Sequence, residues 1–204
     1  MGDLIIQTNR YLGLLRLKEM GIPVPEFYVI YATADLKNPY FESIAPYGWT
    51  IRTCKKNGIN EISLFYKNRI TLDELDTIIT DRLANFSDEF YIVYHSWDFL
   101  FSFNILKSSY EYVVEGEFGS QKNISLGKNS PKFRIRLDRM TGKQLYDGVL
   151  LEHNMKKYIY RAIKYIEEIH SFKNAQAYFE VAITKTGELF FYEYWDIQNL
   201  TPKY

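Results

Sequence analysis

Two glutamates near the end of the sequence have the type and spacing needed to bind a metal ion. Glu180 lies in the apolar run YFEVAI and Glu193 in the run LFFYEYW, with the residues TKTGE between them. This pattern predicts a β-hairpin, in which a tight turn centred on Thr186 and Gly187 places the two glutamates opposite each other. Opposed carboxylates repel each other unless a cation lies between them, and such a pair can hold Mg²⁺ against nucleotide phosphates. The alternative is that both side chains face solvent and bind nothing.

Two arginines and one loop are candidates for binding phosphate. Arg52 lies within the apolar segment GWTIRTC, and Arg10 lies at the start of a helical segment. A guanidinium group matches phosphate oxygens well, although an arginine within a strand can also extend to the sheet edge. The segment GSQKNISLG begins at Gly119 after a predicted strand, and loops of this kind can offer backbone N–H groups to phosphates.

The composition narrows the classes of partner and location. Lys+Arg and Asp+Glu each number 25, so the net charge is zero and no overall field favours nucleic acid or an anionic membrane. Cys54 is the single cysteine, which excludes an intramolecular disulfide and a cysteine-rich zinc site. No apolar run approaches the ~20 residues that span a bilayer, and the start lacks the layout of a signal peptide. We therefore expect a cytoplasmic protein with no membrane partner.

The aromatic content is high, at 17% of the residues. Most of these residues alternate with other apolar residues in strand-like runs, which favours a role in the core and on sheet surfaces. The alternative is a stacking platform for single-stranded nucleic acid, which requires basic residues beside exposed tyrosines. The local candidates for such a patch are Lys55, Lys56, Lys67 and Arg69. Since they are few, we do not expect a nucleic-acid partner.

The pattern of apolar residues predicts an α+β protein with two lobes. The predicted helices are 8–20, 72–83 and 152–170, and the predicted strands are 21–30, 48–54, 62–68, 90–96, 99–106, 111–118, 132–138, 178–183 and 189–195. We place an α/β lobe at 1–88 and a larger lobe of successive antiparallel strands at 89–204, with flanking helices. The cleft of a two-lobed protein is the expected ligand site.

Taken in order, five segments resemble the nucleotide-binding portion of phosphoenolpyruvate synthase and pyruvate phosphate dikinase. They are TNRYLGLLRLKEMGIPVPEFYVI, WTIRTC, YIVYHSWDFLFSFNIL, YVVEGEFGSQKNISLGKNSP and YFEVAITKTGELFFYEYWDI. The resemblance covers nearly the whole chain and implies an ATP-grasp fold that binds ATP and Mg²⁺. The acceptor that would receive a phosphate, or whose carboxylate would be activated, is not identified by it.

The resemblance also implies roles for individual residues. Arg10 falls on the family's ATP-binding lysine, and Arg52 on its phosphate-binding arginine. Glu180 falls on an acidic metal ligand, and Glu193 on a glutamine that contacts the metal and the phosphates. The residues implied to line the adenine are Tyr94, His95, Ser96 and Trp97, and Gly119 matches a glycine of the family's phosphate loop.

Several departures from the family leave the activity open. Tyr178 replaces an acid, Lys122 replaces a glutamate of the glycine loop, and Trp195 stands where a catalytic arginine is expected. The chain is also too short for the family's swivelling phosphohistidine domain and pyruvate-binding barrel. We therefore assign no catalytic residue. Two hypotheses remain: an ATP-dependent phosphotransferase or ligase, and a degenerate relative that senses nucleotide or binds a partner.

Overall fold

The computed structural model describes residues 10–56, 64–120, 130–172 and 176–196, which form two antiparallel sheets and three α-helices. The helices are α1 (Arg10–Glu19), α2 (Leu72–Asn85) and α3 (His153–Glu168). The strands are β1 (Phe27–Ile30), β2 (Trp49–Lys55), β3 (Tyr66–Ile70), β4 (Glu89–His95), β5 (Phe99–Lys107), β6 (Glu111–Phe118), β7 (Phe133–Asp138), β8 (Gln144–Gly148), β9 (Ala177–Thr184) and β10 (Leu189–Asp196). Short 3₁₀ helices cover Thr33–Lys37, Pro39–Glu42 and His170–Phe172.

The first of two units contains the four-stranded sheet, in the order β1-β4-β2-β3. Its described residues are 10–12, 25–56 and 64–97. One face of the sheet packs against α2 through a core that includes Ile51, Leu75 and Val93. The expected start of α2 is confirmed, because Thr71 and Glu74 form a reciprocal capping box at its first turn.

A buried carboxylate ties α2 to this sheet. Glu89, at the start of β4, is 3% exposed and accepts two hydrogen bonds from Arg82, at 2.7 and 3.2 Å. The Tyr91 hydroxyl donates to the same carboxylate at 2.8 Å, and the Lys55 ammonium lies 3.3 Å away. A buried charge needs such partners, since an unpaired carboxylate in the interior is strongly destabilising.

The second unit contains the six-stranded sheet, in the order β10-β9-β5-β6-β7-β8. Its described residues are 13–24, 98–120, 130–172 and 176–196. The helix α3 covers one face of the sheet with an apolar stripe at helical spacing, formed by Met155, Ile159, Ala162, Ile163 and Ile166. Phe103 of β5, Val181 of β9 and Phe191 of the edge strand β10 belong to the same core cluster as this stripe. The opposite face of the sheet carries the polar residues considered below.

Four strands differ from the sequence-based expectation, and one of them is β1, which spans Phe27–Ile30 where 21–30 was expected. β4 pairs with β1 and β2 in the first sheet, whereas we expected it to begin the antiparallel series of the second lobe. β3 spans Tyr66–Ile70, where 62–68 was expected; residues 62 and 63 lie outside the described residues, and 64 and 65 come before the observed start. β8 was not expected, because all five of its residues are exposed and their pattern is weakly apolar. None of the described helices is long and apolar enough to span a membrane.

A lysine is buried in the second unit, at the end of β5. Lys107 is 1% exposed and lies opposite Tyr112 of β6 and Ala177 of β9. Burial, reinforced by the charge of Arg139, lowers the pKa of the Lys107 ammonium from its ordinary 10.5 to about 8. The unfolded chain therefore binds more protons than the folded chain between about pH 8 and 10.5.

We predict that folding stability rises with pH across this window. The contribution of Lys107 is fully present above pH 10.5 and is lost as the pH falls through about 8. Urea denaturation at pH 7.5 and pH 9.5 measures this difference in the free energy of unfolding. The change should be smaller in Lys107→Met, which has no ammonium group to titrate. Lys143→Met, at an exposed position, should retain the wild-type change, and an equal change in Lys107→Met contradicts the prediction.

Candidate functional site

The turn of the β9–β10 hairpin contains three residues, one more than the tight turn considered from the sequence. The N–H of Thr184 donates to the Glu188 carbonyl at 2.9 Å, and the N–H of Gly187 donates to the Thr184 carbonyl at 3.0 Å. Gly187 has a φ of 88°, in the left-handed region that glycine adopts without strain. This turn makes Leu189 the partner of Ile183 and Phe191 the partner of Val181.

A β-bulge at Tyr192 then changes the register by one residue. Beyond the bulge Glu193 is paired with Glu180, whereas an unbroken ladder would pair Glu193 with Phe179. Because directly paired residues point to the same face of a sheet, the bulge moves Glu193 from the core face to the face of Glu180. The expected pairing of the two glutamates is confirmed, although a longer turn and a bulge produce it together.

Each carboxylate accepts a hydrogen bond from an aromatic residue two positions away on its own strand. The Trp195 Nε1–H donates to Glu193 Oε1 at 2.7 Å, and the Tyr178 hydroxyl donates to Glu180 Oε1 at 3.1 Å. Trp195 and Tyr178 are themselves paired in the ladder, with ring centroids 5.1 Å apart. Glu193 is only 1% exposed, whereas Glu180, Tyr178 and Trp195 are half-buried.

A row of polar residues continues from the glutamates across the sheet. Glu180 is paired with Asn104 of β5, and Asn104 with Glu115 of β6. The Asn104 Oδ1 atom is buried and accepts no hydrogen bond from the residues that the structure describes. Arg134 of β7 ends this part of the row, and its Nε lies 2.6 Å from Glu115 Oε1. The row therefore presents mainly acceptor oxygens along β10, β9 and β5.

The two glutamates suit a Mg²⁺ ion that is held partly by its substrate, and not one that is enclosed by protein side chains. Among the described residues no group of three or more His, Cys, Asp or Glu side chains is close enough to enclose a metal ion. Glu180 and Glu193 supply two carboxylates on neighbouring strands. Mg²⁺ is commonly held by one or two carboxylates, with waters and substrate phosphates completing its octahedron. The pair therefore fits a cation that arrives with a phosphate ligand.

In the first unit, three of the predicted residues lie together. Arg52 on β2 is buried and hydrogen-bonds the Tyr94 hydroxyl on β4, and the charge of Arg10 acts on the same hydroxyl. Burial raises the pKa of Tyr94, and the two guanidinium groups oppose that rise. Tyr11 packs edge-on against Phe27 and Phe90, which holds the start of α1 beside this sheet.

The residues implied to line the adenine do not share one face of the first sheet. Ser96 is buried, and its hydroxyl lies 2.7 Å from Thr50 Oγ1. His95 points to the opposite face, where it contacts Trp49 at a centroid distance of 4.6 Å and Ser43 Oγ at 2.9 Å. Burial lowers the pKa of the His95 imidazole. The Trp97 ring centroid lies 6.4 Å from that of His95.

Gly119 directly follows β6 in the second unit. Its φ is 77°, in the left-handed region that glycine adopts without strain. Its N–H donates to the Leu100 carbonyl at 3.0 Å, and its carbonyl accepts from Ser102 Oγ at 2.7 Å. Residues 121–129 of the predicted phosphate loop, including Lys122, lie outside the described residues.

The basic residues on which the nucleic-acid hypothesis depends make intramolecular contacts. The Lys55 Nζ lies 2.9 Å from Asp88, and Lys56 Nζ donates to the Ser87 carbonyl at 2.7 Å. Lys67 lies 3.8 Å from Glu74, and the Arg69 guanidinium lies 6.0 Å from the centre of the Tyr47 ring. Lys55 and Lys67 thus pair with carboxylates, whereas Lys56 and Arg69 contact uncharged groups.

Comparison with known proteins identifies the fold. Neither a protein-family model nor a curated protein matches the sequence. D-alanyl-alanine synthetase A from Vibrio cholerae is similar over 97% of this chain and 57% of its own, with a TM-score of 0.54 and 11% identity. A RimK domain ATP-grasp protein from Sphaerobacter thermophilus is similar over 94% and 59%, with a TM-score of 0.54 and 14% identity. The chain has an ATP-grasp-like α+β fold.

A third ATP-grasp-like structure is the ADP complex of N5-carboxyaminoimidazole ribonucleotide synthetase. It is similar over 93% of this chain and 44% of its own, with a TM-score of 0.55 and 15% identity. The chain thus spans between 44% and 59% of the length of these three structures.

The roles of Tyr178 and Trp195 as hydrogen-bond donors were not predicted. Both residues were noted only as departures from the family resemblance. The spacing that reveals them is present in the sequence, because residues two apart on a strand share a face, as Tyr178 and Glu180 do, and Glu193 and Trp195. The strand assignment alone therefore places a side chain with a hydrogen-bond donor, Tyr178 or Trp195, next to each glutamate on the same face.

We predict that removing one charge of the carboxylate pair stabilises the metal-free protein. Like charges directly opposite each other in a ladder are unfavourable, so Glu180→Gln should raise the free energy of unfolding by about 0.2–1 kcal/mol. Gln retains an oxygen that can accept from Tyr178. The measurement is urea denaturation at pH 7 in the presence of EDTA.

A double-mutant cycle isolates the repulsion from other effects. In the Glu193→Gln background the gain from Glu180→Gln should disappear, because the opposing charge is already absent. The same gain in both backgrounds, or no gain in either, contradicts electrostatic repulsion between the two side chains.

Proposed function

We propose that the chain binds ATP together with Mg²⁺. The observation that carries the proposal is the pairing of Glu193 with Glu180 on one face of the sheet, in a chain of ATP-grasp-like fold. Two carboxylates on adjacent strands suit a cation whose remaining ligands are waters and phosphate oxygens. One of the similar structures is itself an ADP complex, which is consistent with this proposal.

The residues of the first unit take the roles that their chemistry suits. Arg10 and Arg52, which lie near the Tyr94 hydroxyl, bind phosphate oxygens through their guanidinium groups. The segment from Tyr94 to Trp97 is retained as the part of the chain that lines the adenine, with the side chains of His95 and Ser96 on opposite faces of the sheet. Gly119 is retained as the position at which the predicted phosphate loop begins, while its own N–H donates to the Leu100 carbonyl. In the second unit Glu180 and Glu193 hold Mg²⁺, which neutralises phosphate charge when it is bound.

The reaction supported best is ATP-dependent phosphotransfer or ligation, of the kind implied by the resemblance to phosphoenolpyruvate synthase. The acceptor is a small molecule or a protein whose identity is left open. We retain a cytoplasmic location as part of the proposal, on the basis of the single cysteine.

One observation favours a second candidate, a non-catalytic relative that senses nucleotide or binds a partner. Trp195 stands where the resemblance implies a catalytic arginine, and its indole N–H is engaged with Glu193. A neutral indole cannot offer the positive charge that stabilises a transferring phosphoryl group, a contribution worth several powers of ten in rate. ATP binding without measurable turnover of ATP favours this second candidate.

We predict that ATP with Mg²⁺ raises the thermal stability of the full chain. At 100 times the dissociation constant a ligand adds about 2.7 kcal/mol to the free energy of unfolding. Thermal denaturation with increasing ATP, with and without Mg²⁺, measures this effect. Arg52→Ala should reduce the shift with and without Mg²⁺, whereas Glu193→Ala should reduce mainly the part that depends on Mg²⁺.

The control for a general charge effect is Glu168→Gln, on the exposed surface of α3. It should respond to ATP and Mg²⁺ as the wild type does. The absence of any shift in the wild type overturns the proposal of ATP binding. A shift that persists in Glu193→Ala with its full dependence on Mg²⁺ overturns the assignment of the metal ligands.

A further inference from the structure

The two carboxylates of the hairpin are held by a matched pair of neutral aromatic donors. Trp195 donates to Oε1 of Glu193 at 2.7 Å, and Tyr178 donates to Oε1 of Glu180 at 3.1 Å. In both cases the donor lies two residues from the acceptor on the same strand. The arrangement is therefore repeated on β9 and β10, with the donors at one level of the ladder and the carboxylates at the next.

The two donors are also coupled to each other. Trp195 is paired with Tyr178 in the register, and their rings are tilted by 37° with centroids 5.1 Å apart. Each ring is thus fixed by a neighbouring strand as well as by its hydrogen bond. A carboxylate that accepts from a fixed donor loses rotational freedom about its terminal bonds before any ligand arrives.

A neutral donor has a different effect from a cation at the same place. An arginine or lysine would orient a carboxylate but would also compensate its negative charge. The indole N–H and the phenol O–H orient the carboxylates and add no positive charge. Because the two side chains are already ordered, they lose less conformational entropy when a cation binds.

We infer that Tyr178 and Trp195 are positioning residues that orient Glu180 and Glu193 for a divalent cation. The inference rests on the proposed function, because it assumes that the glutamates bind the cation. The aromatic residues act through the carboxylates and do not contact the metal. Partners of metal ligands commonly change metal affinity by about 10–100-fold when they are altered.

Direct titration with Mn²⁺ tests this role without any assay of activity. Mn²⁺ favours the same oxygen ligands as Mg²⁺, and its free concentration can be followed by electron paramagnetic resonance. The titration compares the full chain with ATP against ATP alone, because ATP itself binds Mn²⁺. Tyr178→Phe and Trp195→Phe remove the donors but keep the rings, and each should weaken Mn²⁺ binding by about tenfold or more.

The matched control removes a hydroxyl on the opposite face of the same strand. Tyr194 is one residue from Trp195 and packs in the core against Phe172 and Phe179. Tyr194→Phe should bind Mn²⁺ as the wild type does. Denaturation midpoints of all variants establish whether each is folded at the temperature of the titration.

The outcomes separate this inference from the proposed function. If Tyr178→Phe and Trp195→Phe both bind Mn²⁺ as the wild type does, while Glu193→Gln does not, the positioning role is overturned. The assignment of Glu193 as a metal ligand is then unaffected. No binding of Mn²⁺ by the wild type overturns the metal site and the positioning role together. Equal loss in Tyr194→Phe also overturns the positioning role, because it indicates a general effect on the strand.

Nuclear magnetic resonance gives a second measurement, which remains usable if Tyr178→Phe does not fold. The Trp195 indole N–H signal of the ¹⁵N-labelled wild type is identified by its absence from the spectrum of Trp195→Phe. Addition of Mg²⁺ and ATP should shift this signal, because the cation withdraws electron density from the accepting carboxylate. The same shift should be absent in Glu193→Gln, and a signal insensitive to Mg²⁺ in the wild type contradicts the inference.

Discussion

The candidate site depends on one extra residue in the last strand. The three-residue turn of the β9–β10 hairpin sets a register in which Glu193 would face the core, opposite Phe179. The bulge at Tyr192 restores the alternation that brings Glu193 opposite Glu180. The same residue shift places the Tyr194 ring in the core, against Phe172 and Phe179. The position of the buried carboxylate and the packing of the core are therefore set by a single irregularity.

The hairpin shows how a sequence-based prediction can be right for an incomplete reason. The prediction assumed a two-residue turn and an unbroken ladder, and the structure has a longer turn and a bulge. The longer turn shifts the register by one residue, and the bulge shifts it back by one residue before Glu193. The presence of the hairpin was visible in the alternation of apolar residues, but the turn length depends on the left-handed conformation of Gly187.

The assignment of strands to sheets was less predictable than the strands themselves. β4 and β5 are separated by a few residues, as in a hairpin, yet β4 lies between β1 and β2 in the other sheet. The run FYIVY was informative in this respect, because its residues are buried on both faces. Continuous apolar runs are typical of central strands, whereas an edge strand with one solvated face alternates. β8 carries almost no such signal, since it is exposed throughout.

Many of the aromatic residues pack in the cores, as the composition favoured, whereas Tyr178 and Trp195 have a different role. Phe103 and Phe133 both pack against Phe101 in the core of the second unit. Tyr178 and Trp195 instead lie on the opposite face of the sheet, where their polar atoms meet carboxylates. An aromatic side chain holds a single hydrogen-bond donor in a fixed position and loses little conformational entropy, because it has only two side-chain torsions.

The distribution of charge along the polar row follows from the type of donor at each end. At Glu115 the Arg134 guanidinium lies 2.6 Å away and compensates the carboxylate. At Glu180 and Glu193 the hydrogen-bond donors Tyr178 and Trp195 are neutral groups. In the proposed function, Glu180 and Glu193 on β9 and β10 are the charged oxygen ligands that a hard divalent cation selects. The bulge that aligns the glutamates and the rings that orient them act at this same end of the row.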